Sequence, residues 1–334
     1  MTISIAWTRK EHDIEQLVFV SDSRISAGEK FDACPKMLAL PRGDCGVSYA
    51  GTSGDALSMM LQLSLAIQSY PAAMKRSLEL SALRTHAIKI FNAMLKEIQL
   101  GQIHGNPSTT RTNASFIFGG YSWRAKSFQF WSFRYSKTSN EFITRKPMNL
   151  AVDTETNTIS TDTNLRKKHR LLGRIAFIGD QAEAAKRLVI QKLNEKLRDD
   201  PGLSRLHMEP FEAVRDMLRD RNLRDFPDKD SIGGPPQMMK VFQYSQTASF
   251  AFRWSDSDET IRPFLNGRPC VDYEKLDILC LDPDTLEATY MGDQKQAPQD
   301  STDDETALEG TLSGRQSVAI VGVAKAPDEE DASV

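Results

Sequence analysis

Met1-Thr2-Ile3-Ser4-Ile5-Ala6-Trp7 opens the chain, and Ser21-Asp22-Ser23-Arg24 and Lys36 follow shortly after it. Residues 3–7 alternate in the period-2 pattern of a strand. Thr2 is small enough for an aminopeptidase to remove Met1, which would leave an α-amine and a hydroxyl on one residue. Such an amine has a reference pKa of about 7.7–8.0, so a useful fraction is neutral near pH 7 and can act as a base. Nucleophile and base on the same residue is a route to covalent catalysis.

Outward from that stretch, the whole chain sets bounds. Its 334 residues suit one large domain or two small ones, and 40% apolar content permits a sizeable core. A net charge of −3 argues against nucleic acid as the main partner. No run reaches the ~18 apolar residues of a membrane span. Arg9, Lys10, Glu11 and Asp13 arrive before a signal-peptide core could form, so a cytoplasmic location is expected. Cys34, Cys45, Cys270 and Cys280 have no CxxC spacing, and the histidines do not stand at metal-ligand spacing to them. Reduced thiols, no metal and no cofactor are the expectation.

Turn chemistry and periodicity divide the rest. Strands are predicted over 3–7 and 17–20, then over 36–40 and 46–50 around a turn at 41–44. Gly51-Thr52-Ser53-Gly54 breaks the last of these, and a helix is predicted from Asp55 with Leu57, Met60, Leu61, Leu65 and Ile67 on its apolar face. A second helix is predicted over about 77–100, then a polar loop over 101–112 and strands over 114–120, 127–135 and 141–145. Residues 150–172 are polar and carry the basic run 166–170, read as a solvated face. A short strand over 175–178, helices over 180–197 and 207–218, and a charged loop over 219–230 follow. Strands are predicted over 238–244, 248–254, 276–281 and 288–291. From 293 to 334 the chain is polar and acidic, a composition that cannot order itself alone, apart from the β-prone run 317–323, which could dock on a neighbour or on the body.

Val20-Ser21-Asp22-Ser23-Arg24-Ile25-Ser26-Ala27-Gly28 resembles the Asp-Ser-Arg-x-Thr-x-Gly segment of proteasome β-subunits and, more loosely, of their bacterial HslV-type relatives. Four more matches come in the family's order. They are Thr2 at the mature N-terminus, Cys34-Pro35-Lys36-Met37-Leu38 around the active-site lysine, Tyr49-Ala50-Gly51-Thr52-Ser53-Gly54-Asp55-Ala56 leading into the first helix, and Asp228-Lys229-Asp230-Ser231-Ile232-Gly233-Gly234. The resemblance covers residues 1–60 and 114–291, with insertions near 145–172 and 199–230. It implies an α+β N-terminal-nucleophile (Ntn) hydrolase domain over 1–292, built as a four-layer αββα sandwich of two antiparallel sheets flanked by helices, with 293–334 as a flexible tail.

The resemblance also implies roles. Thr2 Oγ would attack a peptide or amide carbonyl while its own amine takes the proton. Lys36 would lower the hydroxyl's pKa, Asp22 would be its counter-ion, and Arg24 would support Asp22. Gly51 N–H would serve the oxyanion, and Asp228 and Ser231 would hydrogen-bond the amine. Ser26 and Gly51 would pair with an extended substrate, and Tyr49 and Ser53 would line its first side-chain pocket. Two departures stand out: Asp180 occupies the place of a family serine near the amine, and Ile3 replaces a second threonine. The expected activity is that of a threonine endopeptidase acting on peptide or unfolded protein, in a homo-oligomeric ring served by an ATPase unfoldase. The alternatives are an Ntn amidohydrolase of a small amide and a non-catalytic scaffold subunit.

Overall fold

Alternation in the strands near the N-terminus already fixes two buried faces. In the computed structural model, which describes residues 2–11, 14–27, 29–98, 102–103, 106–107, 112–161, 168–227, 229–244, 246–255 and 260–291, Ile3–Glu11 and Ile14–Ser21 form an antiparallel pair. Ile3, Ile5 and Trp7 fall on one side of it and Ala6 on the other, and Val18 and Val20 likewise separate from Leu17 and Phe19. Both faces are apolar because this pair lies inside the larger sheet. His169–Gly179 flanks one edge and Gln237–Phe242 the other.

The larger sheet has eleven strands and the smaller main sheet five, ordered Glu141–Arg145, Ser127–Ser136, Ser115–Ser122, Cys45–Ala50 and Met37–Ala39. Pairing is antiparallel throughout these sheets except where Leu279–Leu281 runs parallel to Thr247–Ser255. The chain is thus mixed α and β, with large antiparallel sheets and five α-helices among the described residues.

Three apolar clusters hold these elements. Helices Ser53–Ser69, Pro71–Met74 and Leu80–Glu97 pack on the smaller sheet through Met59, Leu63, Ala73, Leu83 and Phe91 against Val47, Tyr49, Phe116, Phe118 and Phe133. A second cluster joins the two sheets, drawing Phe19, Ala176 and Met239 from the larger and Ile117, Phe128 and Phe130 from the smaller. The third sets helices Ala182–Asp199 and Glu209–Arg219 on the larger sheet, with Val189, Leu193, Phe211 and Met217 against Trp7, Val18 and Phe177. Each fully buried side chain of this size contributes about 1.5–3 kcal/mol.

Several expectations need correction. On helix Ser53–Ser69, Leu61 and Leu65 are more than half exposed, while Ala56, Met59 and Leu63 take the buried positions. Residues spaced by four drift about 40° per step around a 3.6-residue helix, so the line 57–61–65 leaves the packed face. The helix predicted over about 77–100 is Leu80–Glu97, and a short helix, Pro71–Met74, precedes it without having been predicted. The short strand over 175–178 belongs to an eleven-residue strand, His169–Gly179. Its polar first half pairs with Met148–Asp153, so the polar stretch after 145 widens the larger sheet.

The charged loop after Arg219 is organised from inside by Arg224. Its guanidinium is buried and donates to the carbonyls of Met217 (2.6 Å), Leu218 (2.9 Å), Lys229 (2.8 Å) and Ile232 (3.0 Å). Strand Ile261–Leu265, mostly half-exposed, carries no clear alternation and was not anticipated. All described residues fall in one compact unit, Met1–Gln294. The tail after 292, including 317–323, lies outside the described residues.

Candidate active site

Four chain segments converge on Thr2. The first is the start of strand Ile3–Glu11. The turn after Ile14–Ser21 brings Asp22, the segment before Met37–Ala39 brings Lys36, and the end of His169–Gly179 brings Asp180. Lys36 Nζ donates to Thr2 Oγ1 at 2.8 Å and to Asp22 Oδ1 at 2.9 Å. The Lys36 and Asp22 side chains are both sealed from solvent, with 0% exposure.

An ammonium in that position needs a fixed and fully bonded counter-ion. Asp22 meets the requirement: Oδ1 also accepts from Ile3 N (3.1 Å), and Oδ2 accepts from Arg24 N (3.1 Å) and Gly233 N (3.2 Å). The Gly-Gly segment therefore touches the site through its backbone. The Arg24 side chain forks onto Asp32, with Nε to Oδ1 at 2.6 Å and Nη2 to Oδ2 at 2.7 Å.

Thr2 N donates to Asp180 Oδ2 at 3.1 Å, and Asp180 N returns a bond to Thr2 O at 3.0 Å. Gly179 makes this closeness feasible. It has φ +107°, and a Cβ there would stand 1.9 Å from Thr2 O. Gly51 is similarly constrained, with φ +98° and Asn113 O 2.1 Å from where a Cβ would be. It ends strand Cys45–Ala50, whose Ser48 hydroxyl bonds Ser4 Oγ at 2.8 Å beside the N-terminal strand.

The remaining expected residues divide. Asp228 lies outside the described residues. Ser231 is buried, and its hydroxyl has no partner among the described residues. Ser26 sits in the short strand Ile25–Ala27, paired with Glu29–Phe31, and its hydroxyl is also without a partner among them.

Tyr49 is a correction. It is fully buried against helix Ser53–Ser69, its hydroxyl lies 3.3 Å from Cys34 Sγ, and burial pushes its pKa up. Strand alternation explains this: Ser48 and Ala50 face the larger sheet, so Tyr49 faces the helices. Ser53, at the start of that helix, is half-buried.

Gln237 is the organiser that sequence reasoning missed. It is completely buried, its Oε1 accepts from Lys36 N (3.0 Å), and its Nε2 donates to Cys34 O (2.6 Å), Ser23 Oγ (3.1 Å) and Asp22 O (3.3 Å). One amide thus ties the Asp22 turn to the Lys36 segment. A lone glutamine ahead of a strand gives no signal of that role.

Chemically, the arrangement couples a hydroxyl to a buried cation and a neighbouring nitrogen to a carboxylate. Burial raises all four cysteine thiols, so none competes as a thiolate nucleophile at neutral pH. No cluster of three or more potential metal ligands occurs among the described residues. No helix among them is long and apolar enough to cross a membrane. Compared with known proteins, the chain matches no family model and no curated sequence.

Proposed function

We propose that this chain is an N-terminal-nucleophile hydrolase, a threonine peptidase whose nucleophile is Thr2 once Met1 is removed. The observation that carries the reading is the sealed contact of Lys36 Nζ with both Thr2 Oγ1 (2.8 Å) and Asp22 Oδ1 (2.9 Å). A cation held at that distance favours the alkoxide as the hydroxyl attacks, and a buried pair is an expensive structure to keep for packing alone. The three clusters, helix on sheet, sheet on sheet and sheet on helix, support a four-layer αββα sandwich of the Ntn type.

In this mechanism the Thr2 amine takes the hydroxyl proton as Oγ1 attacks the carbonyl, and returns it to the leaving amine. Water then hydrolyses the ester. The Gly51 N–H stabilises the oxyanion. Among the described residues strand Ile25–Ala27 has one partner strand, which leaves an edge on which an extended peptide can add as a third. The expected ring of copies and ATPase unfoldase belong to this proposal and rest on the family resemblance.

One observation favours the narrower alternative, an amidohydrolase of a small amide: Tyr49, expected to line a pocket for a substrate side chain, is instead buried in the core against the helices. Hydrolysis of fluorogenic peptides and of small N-acyl amides by Thr2→Ser and Thr2→Ala variants separates these readings. Peptide turnover by wild type, reduced turnover by T2S and none by T2A supports the peptidase. Turnover of small amides alone moves the assignment to the alternative. Activity persisting in T2A contradicts both.

A further inference from the structure

We infer that Asp180 is a positioning residue that holds the Thr2 α-amine as its counter-ion and sets the pH range in which that amine can act as a base. The inference rests on the nucleophile reading above. Its carboxylate accepts from Thr2 N at 3.1 Å, and the reciprocal bond from Asp180 N to Thr2 O at 3.0 Å fixes the two residues as a ring. Gly179, with φ +107° and no room for a Cβ, permits that approach. Next to it, Gln181 is completely buried, and its side-chain amide exchanges bonds with the backbone of Asp225 (3.2 and 2.8 Å), anchoring the turn.

The charges around the amine leave Asp180 as its natural partner. Lys36 and Asp22 neutralise each other from the two segments facing Thr2. Arg24 is forked onto Asp32, and Arg187 is paired with Asp225 beside Gln181. From the loop before Gly233, Arg224 is spent on backbone carbonyls, and Asp230 pairs with Arg221 and Lys30. Asp180 has no cationic side-chain partner among the described residues. Removal of Met1 turns the Thr2 nitrogen from an amide into an ammonium at this hydrogen-bonding distance. An opposite charge so near favours the protonated amine and raises its pKa above the ordinary amine value, and the exposure of Asp180 to solvent keeps the effect modest. The neutral amine that accepts the hydroxyl proton therefore becomes abundant only on the alkaline side of the ordinary amine range.

The test reads the amine directly. The pH dependence of N-terminal acetylation, followed by peptide mass spectrometry in wild type, Asp180→Asn and Asp180→Ser, gives the Thr2 amine pKa without reference to turnover. The expected result is a pKa lower by about one unit in both variants, with the fold retained and the alkaline rise of kcat/KM shifted by the same amount. Asp180→Glu should restore the wild-type profile in part. An amine that is free but titrates identically in all four proteins overturns the inference and leaves the nucleophile reading standing. Met1 retained throughout overturns both.

Discussion

Burying an ammonium is unfavourable unless a bonded anion faces it, so the energetics of Lys36 cannot be separated from those of Asp22. With both side chains sealed, truncating one strands the other's charge, which typically costs about 3–5 kcal/mol. Lys36→Ala is therefore expected to lower the unfolding free energy by that order in denaturant titration. It should also abolish reaction at Thr2 in whatever fraction stays folded. A fully stable, fully reactive K36A protein would contradict the role given to the pair. That Thr2, Asp22 and Lys36 stand together was expected from the order of their motifs, which resembles that of the proteasome type, and the three side chains do meet in the structure. Gln237 and the fork of Arg24 onto Asp32 were not, since a single buried amide and a pair eight residues apart leave no periodic trace.

Among the elements, helix Ser53–Ser69 shows where periodicity misleads. Leucines at 57, 61, 63 and 65 give several overlapping apolar lines, and only packing on the smaller sheet selects the one through Leu63. Leu63→Ala should cost about 2–5 kcal/mol by chemical denaturation, while Leu65→Ala should cost under about 0.5 kcal/mol. Equal costs would place the helix in another rotation.

Strand Gln237–Phe242 carries a second test. Lys240 is largely buried with its Nζ 4.7 Å from the centre of the Phe250 ring, and burial, reinforced by Arg9, brings its pKa down to about 8. Unfolded, it returns to about 10.4. Between these values the unfolded chain binds the proton that the folded one has released, so stability rises with pH through that window and carries the full penalty below it. Lys240→Met should raise the melting temperature at pH 7, by on the order of 2 kcal/mol of stability, and the gain should fade as pH passes 10. A gain independent of pH would assign it to packing instead.

For the molecule as a whole, the order of strands and helices was readable because punctuation by Gly, Pro and polar turns is strong. What the sequence concealed was recruitment at the margins. Polar stretches after 145 extend the larger sheet, and a charge-dense loop folds around one buried arginine, because pairing and carbonyl bonding can satisfy such segments without an apolar pattern.

Every functional statement made for this architecture returns to one atom, Thr2 Oγ1, and one nitrogen beside it. The most direct measurement is the intact and N-terminal peptide mass of the purified protein after treatment with a peptide epoxyketone, which closes a ring with both a hydroxyl and a free amine on the same residue. The account predicts loss of Met1 and a single adduct on Thr2, absent from the Thr2→Ala and Lys36→Ala proteins. Met1 retained, with no adduct at Thr2, would contradict it.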